Sequence, residues 1–255
     1  MSWIDSHCHL DFDVFSDPKS LMTDLEQAGC ERVLVPAITA QYFQRVVSFQ
    51  GTRPNMVDIA LGLHPYFLER HAPEHLNQLE QWIQQASPVA IGEIGLDYML
   101  DPNSYDSQLE YFLAQVSIAK NHALPIVVHC RKAHDVLLKH TKQLGFHSGG
   151  FIHGFSGSQQ QAKKYLDSGF VVGLGGALTY ERAKAMKRLV AYLPDDGFVL
   201  ETDSPDMTPS FANGAINTPL NIPQIAGYIA NYRKQSIEDI HKLSSESYHR
   251  IMQPS

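Results

Sequence analysis

The sequence predicts an α/β fold, a (β/α)8 TIM barrel with extra C-terminal helices, and three observations support this prediction. Short apolar runs of strand length alternate with amphipathic stretches of helix length along the chain. The runs contain β-branched residues in continuous apolar order, as expected for parallel strands buried on both faces. Eight such alternations in 255 residues match the size of this barrel.

Eight apolar runs are the candidate strands. The first is short and stands immediately before His7. The eight runs cover residues 3–6, 32–37, 57–63, 89–94, 125–128, 150–152, 170–174 and 198–200.

Helix signals separate most of these runs. Asp17 and Pro18 supply an N-cap and a proline at the first helical position, and Gly29 supplies a stop. Apolar residues at helical spacing predict helices around residues 76–83, 109–119 and 136–144. Further helices are predicted over residues 158–168 and 182–192 and, after the eighth strand, over 222–232 and 237–252.

An open, doubly wound sheet is the alternative architecture. Such folds usually carry a glycine-rich phosphate loop after the first strand, whereas this chain has His7, Cys8 and His9 there. The sequence contains no internal repeat, no linker and no block of charged residues that would mark a boundary between two domains. We therefore expect residues 1–255 to form a single domain.

Composition excludes several classes of protein. With 44% hydrophobic and 18% charged residues, the chain is neither disordered nor of low complexity. A net charge of −7 argues against a broad basic surface for nucleic acid. No apolar run approaches the length of a membrane span, the first residues do not resemble a secretory signal, and three cysteines do not form a disulfide framework. A cytoplasmic protein that does not bind membranes is expected.

Histidines and acids stand where the predicted strands end. Five of the thirteen histidines lie at such positions, together with one glutamate and one aspartate: His7, His9, His64, Glu93, His129, His153 and Asp203. In a barrel of this kind the carboxyl ends of the strands form the active site. His7 and His9 are two residues apart on a strand, so both imidazoles point to the same side. Such a pair alone is more often two hydrogen-bonded histidines, but the further strand-end residues favour a metal centre.

Six of these side chains are the predicted metal ligands: His7, His9, Glu93, His129, His153 and Asp203. Imidazole and carboxylate groups suit Zn or Mn, and also Mg where carboxylates contribute. Six ligands exceed the needs of one tetrahedral ion, so two divalent metal ions (Zn, Mg or Mn) are predicted. Glu93 has two oxygens that could bridge them. Asp203 could bind one ion and also take a proton from the attacking water, so Glu93 and Asp203 are the candidate catalytic residues.

Two further residues are candidates for binding substrate. His64 precedes a proline and could face the substrate, although a structural histidine at a turn is the alternative. Arg131 follows His129 by two residues and could hold a phosphate oxygen, although a surface salt bridge is the alternative.

The motifs resemble those of the TatD-like metal-dependent hydrolases of the amidohydrolase superfamily, and among these the YjjV-type branch. The resemblance covers nearly the whole chain and depends on IDSHCH at 4–9, IGEIGLDY at 91–98, LPIVVHCR at 124–131, HGFSG at 153–157 and VLETDSP at 199–205. It implies a TIM barrel and two divalent-cation sites. One site would use His7, His9, Glu93 and Asp203, and the other Glu93, His129 and His153. It also implies phosphodiester hydrolysis, with deoxyribonuclease activity in some relatives, often with Mg. Residues 216–219 read INTP and lack an arginine that many relatives carry there.

Three functional hypotheses follow. The first is a divalent-metal-dependent phosphodiesterase, of the deoxyribonuclease type, that uses a metal-activated water on a phosphodiester substrate such as single-stranded or end-exposed DNA. The second is an amide or ester hydrolase with the same two-metal centre. The third is a non-catalytic, metal-stabilised scaffold. None of them requires an obligate protein partner.

Overall fold

Eight parallel strands lie side by side in the order in which they occur in the chain. The structure is a computed structural model and describes residues 2–252. The strands are β1 Trp3–Asp5, β2 Cys30–Pro36, β3 Val57–Leu61, β4 Ala90–Asp97, β5 Ile126–Arg131, β6 Gly150–Ile152, β7 Phe170–Leu174 and β8 Phe198–Leu200. This arrangement confirms the predicted (β/α)8 barrel.

Backbone hydrogen bonds connect the first and last strands. The amide of Ser6 donates to the carbonyl of Leu200 at 2.9 Å, and the amide of Asp203 donates to the carbonyl of His7 at 2.8 Å. A parallel bridge between Cys8 and Ser204 continues this contact. The segments that follow β1 and β8, which carry predicted site residues, are therefore held side by side.

Helices follow the strands as predicted, with one addition. They are α1 Pro18–Gln27, α2 Phe43–Thr52, α3 Glu74–Ala86, α4 Tyr105–Asn121, α5 His134–Gln143, α6 Gln159–Leu166, α7 Lys184–Tyr192, α8 Ile222–Arg233 and α9 Ile237–Met252. Helix α2 was not predicted, although Phe43, Val46 and Val47 recur at helical spacing and the first two are buried. Among residues 2–252, no helix has both the length and the apolar character needed to cross a membrane.

Strands β4 and β5 extend beyond the ends predicted at Glu93 and His129. Backbone pairing continues from Gly95 opposite His129 to Asp97 opposite Arg131, because the ladder does not depend on apolar side chains. Gly95 has φ +153°, and a Cβ there would lie 1.8 Å from the carbonyl oxygen of His129. Only glycine permits this close approach of the two strands.

An apolar layer fills the inside of the barrel and is covered by the last helix. One residue from each strand contributes to it: Ile4, Leu34, Ala60, Ala90, Val127, Phe151, Val171 and Val199. Tyr248, Ile251 and Met252 of α9 pack against this layer. His129 and His153 follow Val127 and Phe151 by two residues, so the alternation along a strand directs their side chains into the same interior.

Candidate active site and metal centre

A cavity of about 320 Å³ lies at the carboxyl ends of the strands. Six of the eight predicted site residues line it: His9, His64, Glu93, His129, His153 and Asp203. His7 is fully buried beneath it and contacts Glu93 and Asp203. The structure therefore brings together seven of the eight residues, as the positions of the strand ends predict.

One oxygen of Glu93 faces the histidines of the first strand end. Its Oε2 lies 3.2 Å from Nε2 of His7 and 3.8 Å from Nε2 of His9. On the other side of the same two nitrogens, Oδ1 of Asp203 lies 3.5 Å from His7 and 3.7 Å from His9. Two imidazole nitrogens and two carboxylate oxygens thus converge on one point, with nitrogen–oxygen distances of 3.2 to 3.8 Å.

The second oxygen of Glu93 faces a different group of histidines. Its Oε1 lies 3.3 Å from Nδ1 of His129, 3.8 Å from Nε2 of His153 and 3.1 Å from Nε2 of His64. Nε2 of His153 is also 3.7 Å from Oδ2 of Asp203. The carboxylate of Glu93 therefore lies between two clusters, with one oxygen directed to each.

The contacts of these groups within the chain fit a bound cation. Nε2 of His7, the nitrogen that faces Glu93 and Asp203, has no hydrogen-bond partner although the residue is completely buried. Buried polar atoms are normally paired, so such orphans need a ligand. The ring of His7 also stacks on that of His153 at 3.9 Å, which disfavours positive charge on both. Neutral imidazoles with free lone pairs are the form that binds divalent metals.

Two outer carboxylates lie beside histidines of the centre, and Asp97 fixes which nitrogen of His129 faces it. Oδ2 of Asp97 lies 3.0 Å from Nε2 of His129 and so accepts its N–H, which leaves the lone pair of Nδ1 directed at Glu93. Oε1 of Glu201 lies 3.4 Å from Nδ1 of His153 without completing a hydrogen bond, and Nε2 of that ring faces the centre. Carboxylates that hold the second nitrogen of a histidine are typical of metal sites.

The second of these carboxylates depends on a glycine. A Cβ at Gly173 would lie 2.2 Å from Oε2 of Glu201, so a larger residue in β7 would displace the side chain. Glu201 is completely buried, and its Oε1 also accepts the backbone N–H of Gly154 at 2.6 Å. The segment after β6 is thereby held against the start of the segment after β8.

The carboxylates and imidazoles of the site shift one another's pKa values. Burial raises the pKa of Glu93, but the neighbouring imidazoles, that of His64 foremost, outweigh burial and hold it well below its usual range. Burial, together with the charge of Glu93, raises the pKa of Asp203 to about 7 despite the opposing effect of His153. Burial lowers the pKa of His153, but Asp203, Glu201 and Glu93 raise it to about 10. Without a cation, the carboxylates of the centre are thus compensated by a protonated imidazole.

His64 takes part in the site through one defined tautomer. Its Nδ1 accepts the backbone N–H of Tyr66 at 3.0 Å, so the ring proton is on Nε2 and is donated to Glu93. His64 also lines the cavity. The imidazole therefore combines the two roles considered from the sequence, because it fixes a turn and presents an N–H to the site.

Arg131 is the predicted residue that lies outside the cavity. It ends β5, its side chain is exposed, and it does not belong to the cavity lining. Its nearest influence on the site is through Asp97, whose pKa its charge helps to lower.

Asp97 and Glu201 were not predicted from the sequence. A signal was present, because Asp97 follows Glu93 by four residues and Glu201 precedes Asp203 by two, and even spacing along a strand favours the same face. Apolar strand length placed the end of β4 too early for Asp97 to be considered. Nothing in the pattern distinguishes a carboxylate that binds metal from one that holds a histidine.

Comparison with known proteins gives the same family along the whole chain. The family described as TatD related DNase matches residues 4–253. The uncharacterized metal-dependent hydrolase YjjV of Escherichia coli is 37% identical over 241 residues, which cover 93% of each chain. The 3'-5' ssDNA/RNA exonuclease TatD of Pectobacterium parmentieri is 27% identical over 242 residues, covering 92% of this chain and 93% of the relative.

A solved structure agrees with the fold. The crystal structure of the E. coli YjjV protein, a TatD homologue, superposes with a TM-score of 0.93 at 35% identity. The match covers 98% of this chain and 97% of that one. The barrel and its C-terminal helices are therefore shared over their full length.

Proposed function

Because this chain belongs to the TatD family of metal-dependent hydrolases, we propose that it hydrolyses phosphodiester bonds, as a nuclease of single-stranded or end-exposed DNA. The observation that carries the proposal is the position of Glu93 between two clusters of ligating atoms. A carboxylate shared in this way suits two cations that clamp a displacement at phosphorus. The activity for which the Pectobacterium relative is named, that of a 3'-5' ssDNA/RNA exonuclease, supports the choice of bond.

We assign the ligands as the resemblance to the family implies: His7, His9, Asp203 and Oε2 of Glu93 would hold one ion, while His129, His153 and Oε1 of Glu93 would hold the other. The geometry supports the grouping of His7, His9 and Glu93, and it also brings His153 close to His7 and Asp203. The mixture of imidazole and carboxylate suits Zn, Mg or Mn. Two divalent ions held there would lower the pKa of water and neutralise charge on the phosphoryl oxygens.

The residues of the chain supply the remaining chemistry. Asp203 lines the cavity and directs Oδ1 and Oδ2 to different partners, so one oxygen can stay with His7 while the other accepts the proton of the attacking water. His64 donates its Nε2–H to Oε1 of Glu93 and so orients this carboxylate, while its ring lines the cavity where the substrate would lie. Asp97 keeps the ring of His129 oriented throughout.

The proposal is tested by assaying chelator-stripped protein on bis-p-nitrophenyl phosphate and on an end-labelled oligonucleotide. We expect no turnover after chelation and recovery on addition of Mn, Mg or Zn. Metal content measured alongside should approach two ions per chain. Full activity in excess chelator would contradict the proposal, and so would inactivity on both phosphodiesters with metal bound.

An amide or ester hydrolase with the same centre is the second candidate. The observation in its favour is that Arg131 does not line the cavity, since a carbonyl substrate needs no cationic side chain. A panel of acylated amides, lactones and phosphodiesters, assayed with the same metal-loaded protein, separates the candidates. A higher kcat/KM for a carbonyl substrate than for any phosphodiester would favour this one.

We also propose that the chain is one domain that works in the cytoplasm. The unbroken eight-stranded sheet and its packing against α9 support a single domain. Three cysteines that are buried and free support a reducing compartment. Cell fractionation and a single cooperative unfolding transition would test these two points.

A further inference from the structure

One wall of the cavity is aromatic. Phe12, Tyr66 and Phe67 line it together with Ile38, and all four residues come from the segments that follow the first three strands. Tyr66 is 59% exposed, although a large aromatic side chain gains nothing from facing water. Tyr66 is the exposed member of this wall, and the half-buried rings of Phe12 and Phe67 continue it into the cavity beside the proposed metal centre, so the wall offers aromatic surface to a substrate.

The ring of Phe12 is held in place from both sides. It stacks on His9 with ring centres 4.7 Å apart and an angle of 19° between the planes. Arg45 of α2 donates to the backbone carbonyl of Asp11, and at 2.7 Å to the carboxylate of Asp13. The residues on either side of Phe12 are thus tied to a helix, so the ring needs little ordering when a ligand binds.

Tyr66 is held by its backbone and by a neighbouring ring. Its N–H donates to Nδ1 of His64, and its ring meets that of Phe67 edge to face at 5.2 Å. The same side chain also lines a second depression of about 570 Å³ on the outer side of the cavity. Tyr66 therefore stands between the metal centre and the surface over which a longer substrate would leave.

Charge on this side of the site is negative or absent. Of the described residues, no Lys or Arg lines the cavity, and the loop after β8 adds Asp206 to it. Apart from the proposed ions, a chain of phosphates would find no cationic side chain among the described residues of this cavity lining, so affinity beyond that of the metal centre must come from a flat, apolar part of the ligand. The volume of about 320 Å³ is at the lower end for small-molecule sites and suits one unit of a nucleotide.

We propose that Phe12 and Tyr66 form a subsite for the nucleobase next to the scissile bond, so that a stacked base, rather than further backbone phosphates, adds to the affinity that the metal centre gives. This inference rests on the proposed function, which places a phosphodiester at the metal centre. Every base has a flat π face, so the subsite stacks any of the four and does not select sequence.

The test compares two ligands that differ only by the base. Thymidine 5'-monophosphate and 1,2-dideoxyribose 5-phosphate, in which hydrogen replaces the base, are titrated calorimetrically into Mn-loaded protein. We expect the nucleotide to bind about tenfold more tightly in the wild type. In Phe12→Leu and Tyr66→Leu the ratio should fall severalfold, and in the double variant it should approach one. Binding of the sugar phosphate should stay unchanged.

Tyr192→Leu is the matched control, because this tyrosine is 46% exposed at the end of α7 and does not line the cavity. It should keep the wild-type ratio. Equal binding of both ligands by the wild type would overturn the subsite, and so would an unchanged ratio in the double variant. If the base preference is present but no phosphodiester is cleaved, the subsite stands and the proposed function fails. If bis-p-nitrophenyl phosphate is cleaved but the base preference is absent, the proposed function stands and the subsite fails.

Discussion

Two buried polar groups at opposite ends of the barrel differ in their pairing: Asp58 at the base, which α9 covers, and His7 at the mouth, which the carboxyl ends of the strands form. At the base, Tyr248 of α9 donates to Oδ2 of Asp58 at 2.7 Å, and Arg32 donates to Oδ1 at 2.8 Å, so the carboxylate is paired from within the chain. At the mouth, His7 has two unpaired ring nitrogens. Pairing within the chain stabilises the fold, whereas unpaired ligating atoms at the mouth leave room for ions.

An unpaired histidine is not sufficient evidence for a site. His241 of α9 is also buried with both ring nitrogens unpaired. In the part of the chain that the structure describes, it belongs to none of the groups of three side chains able to hold a metal. The difference from His7 is convergence, because His7 shares its space with Glu93 and Asp203.

The largest effect should come from the acid at the mouth. Asp203→Asn keeps the shape of the side chain but removes a ligand and a base, so we expect kcat on bis-p-nitrophenyl phosphate to fall about 10³-fold. Steady-state kinetics with saturating metal measure it, and circular dichroism verifies the fold. A fall of less than threefold would remove Asp203 from the proposed chemistry.

Next in size is the carboxylate behind His129. Asp97→Asn no longer accepts the N–H of His129 as a charged group, so metal affinity should fall about 10- to 100-fold. Calorimetric titration of stripped protein measures this directly. Asp106→Asn, at an exposed position in the first turn of α4, is the control and should bind metal as the wild type does. Equal affinities in both variants would show that Asp97 does not position the ring.

A substitution at the base of the barrel should lower the stability of the protein and leave its activity unchanged. Tyr248→Phe leaves Oδ2 of Asp58 buried without its donor, which should lower the free energy of unfolding by about 1–3 kcal/mol. Urea denaturation measures it, with the exposed Tyr192→Phe as control. A change of more than threefold in kcat would show that the two ends are coupled.

The smallest effect is expected from a substitution of Arg131, at the end of β5 and outside the cavity. We propose that Arg131 contacts a phosphate of longer substrates only, because its side chain is exposed and outside the cavity. Arg131→Ala should therefore lower kcat/KM for an oligonucleotide by about two- to fivefold. It should leave bis-p-nitrophenyl phosphate unaffected, and an equal loss on both substrates would place Arg131 at the scissile bond instead.

The fold was largely predictable because buried parallel strands leave a strong pattern. Runs such as 170–174 and 198–200 match β7 and β8, and residues 237–252 match α9. The missing element, α2, shows apolar residues at helical spacing, but no side chain caps its N-terminus to mark where it begins. The true ends of β4 and β5 were missed, since Glu93 and His129 interrupt the apolar runs, although backbone pairing and the buried side chains of Leu96 and Cys130 continue beyond them.

The candidate site was predictable as a set of residues and not as a set of atoms. Counting positions after apolar strands places His129 and Asp203 at one end of the barrel. It cannot tell that Nδ1 rather than Nε2 of His129 faces Glu93, because this depends on where Asp97 lies in three dimensions. Nor does spacing bring Phe12 to His9, since that contact depends on the loop held by Arg45.

The position of α9 has a consequence for how the protein is made. Its last turns supply Tyr248, Ile251 and Met252 to the interior of a barrel whose first strand is β1. During translation, these residues of α9 are synthesised only after all eight strands. Until then the nascent polypeptide exposes an open apolar floor, so a shortened reading frame that stops before residue 248 should yield insoluble material rather than a smaller enzyme.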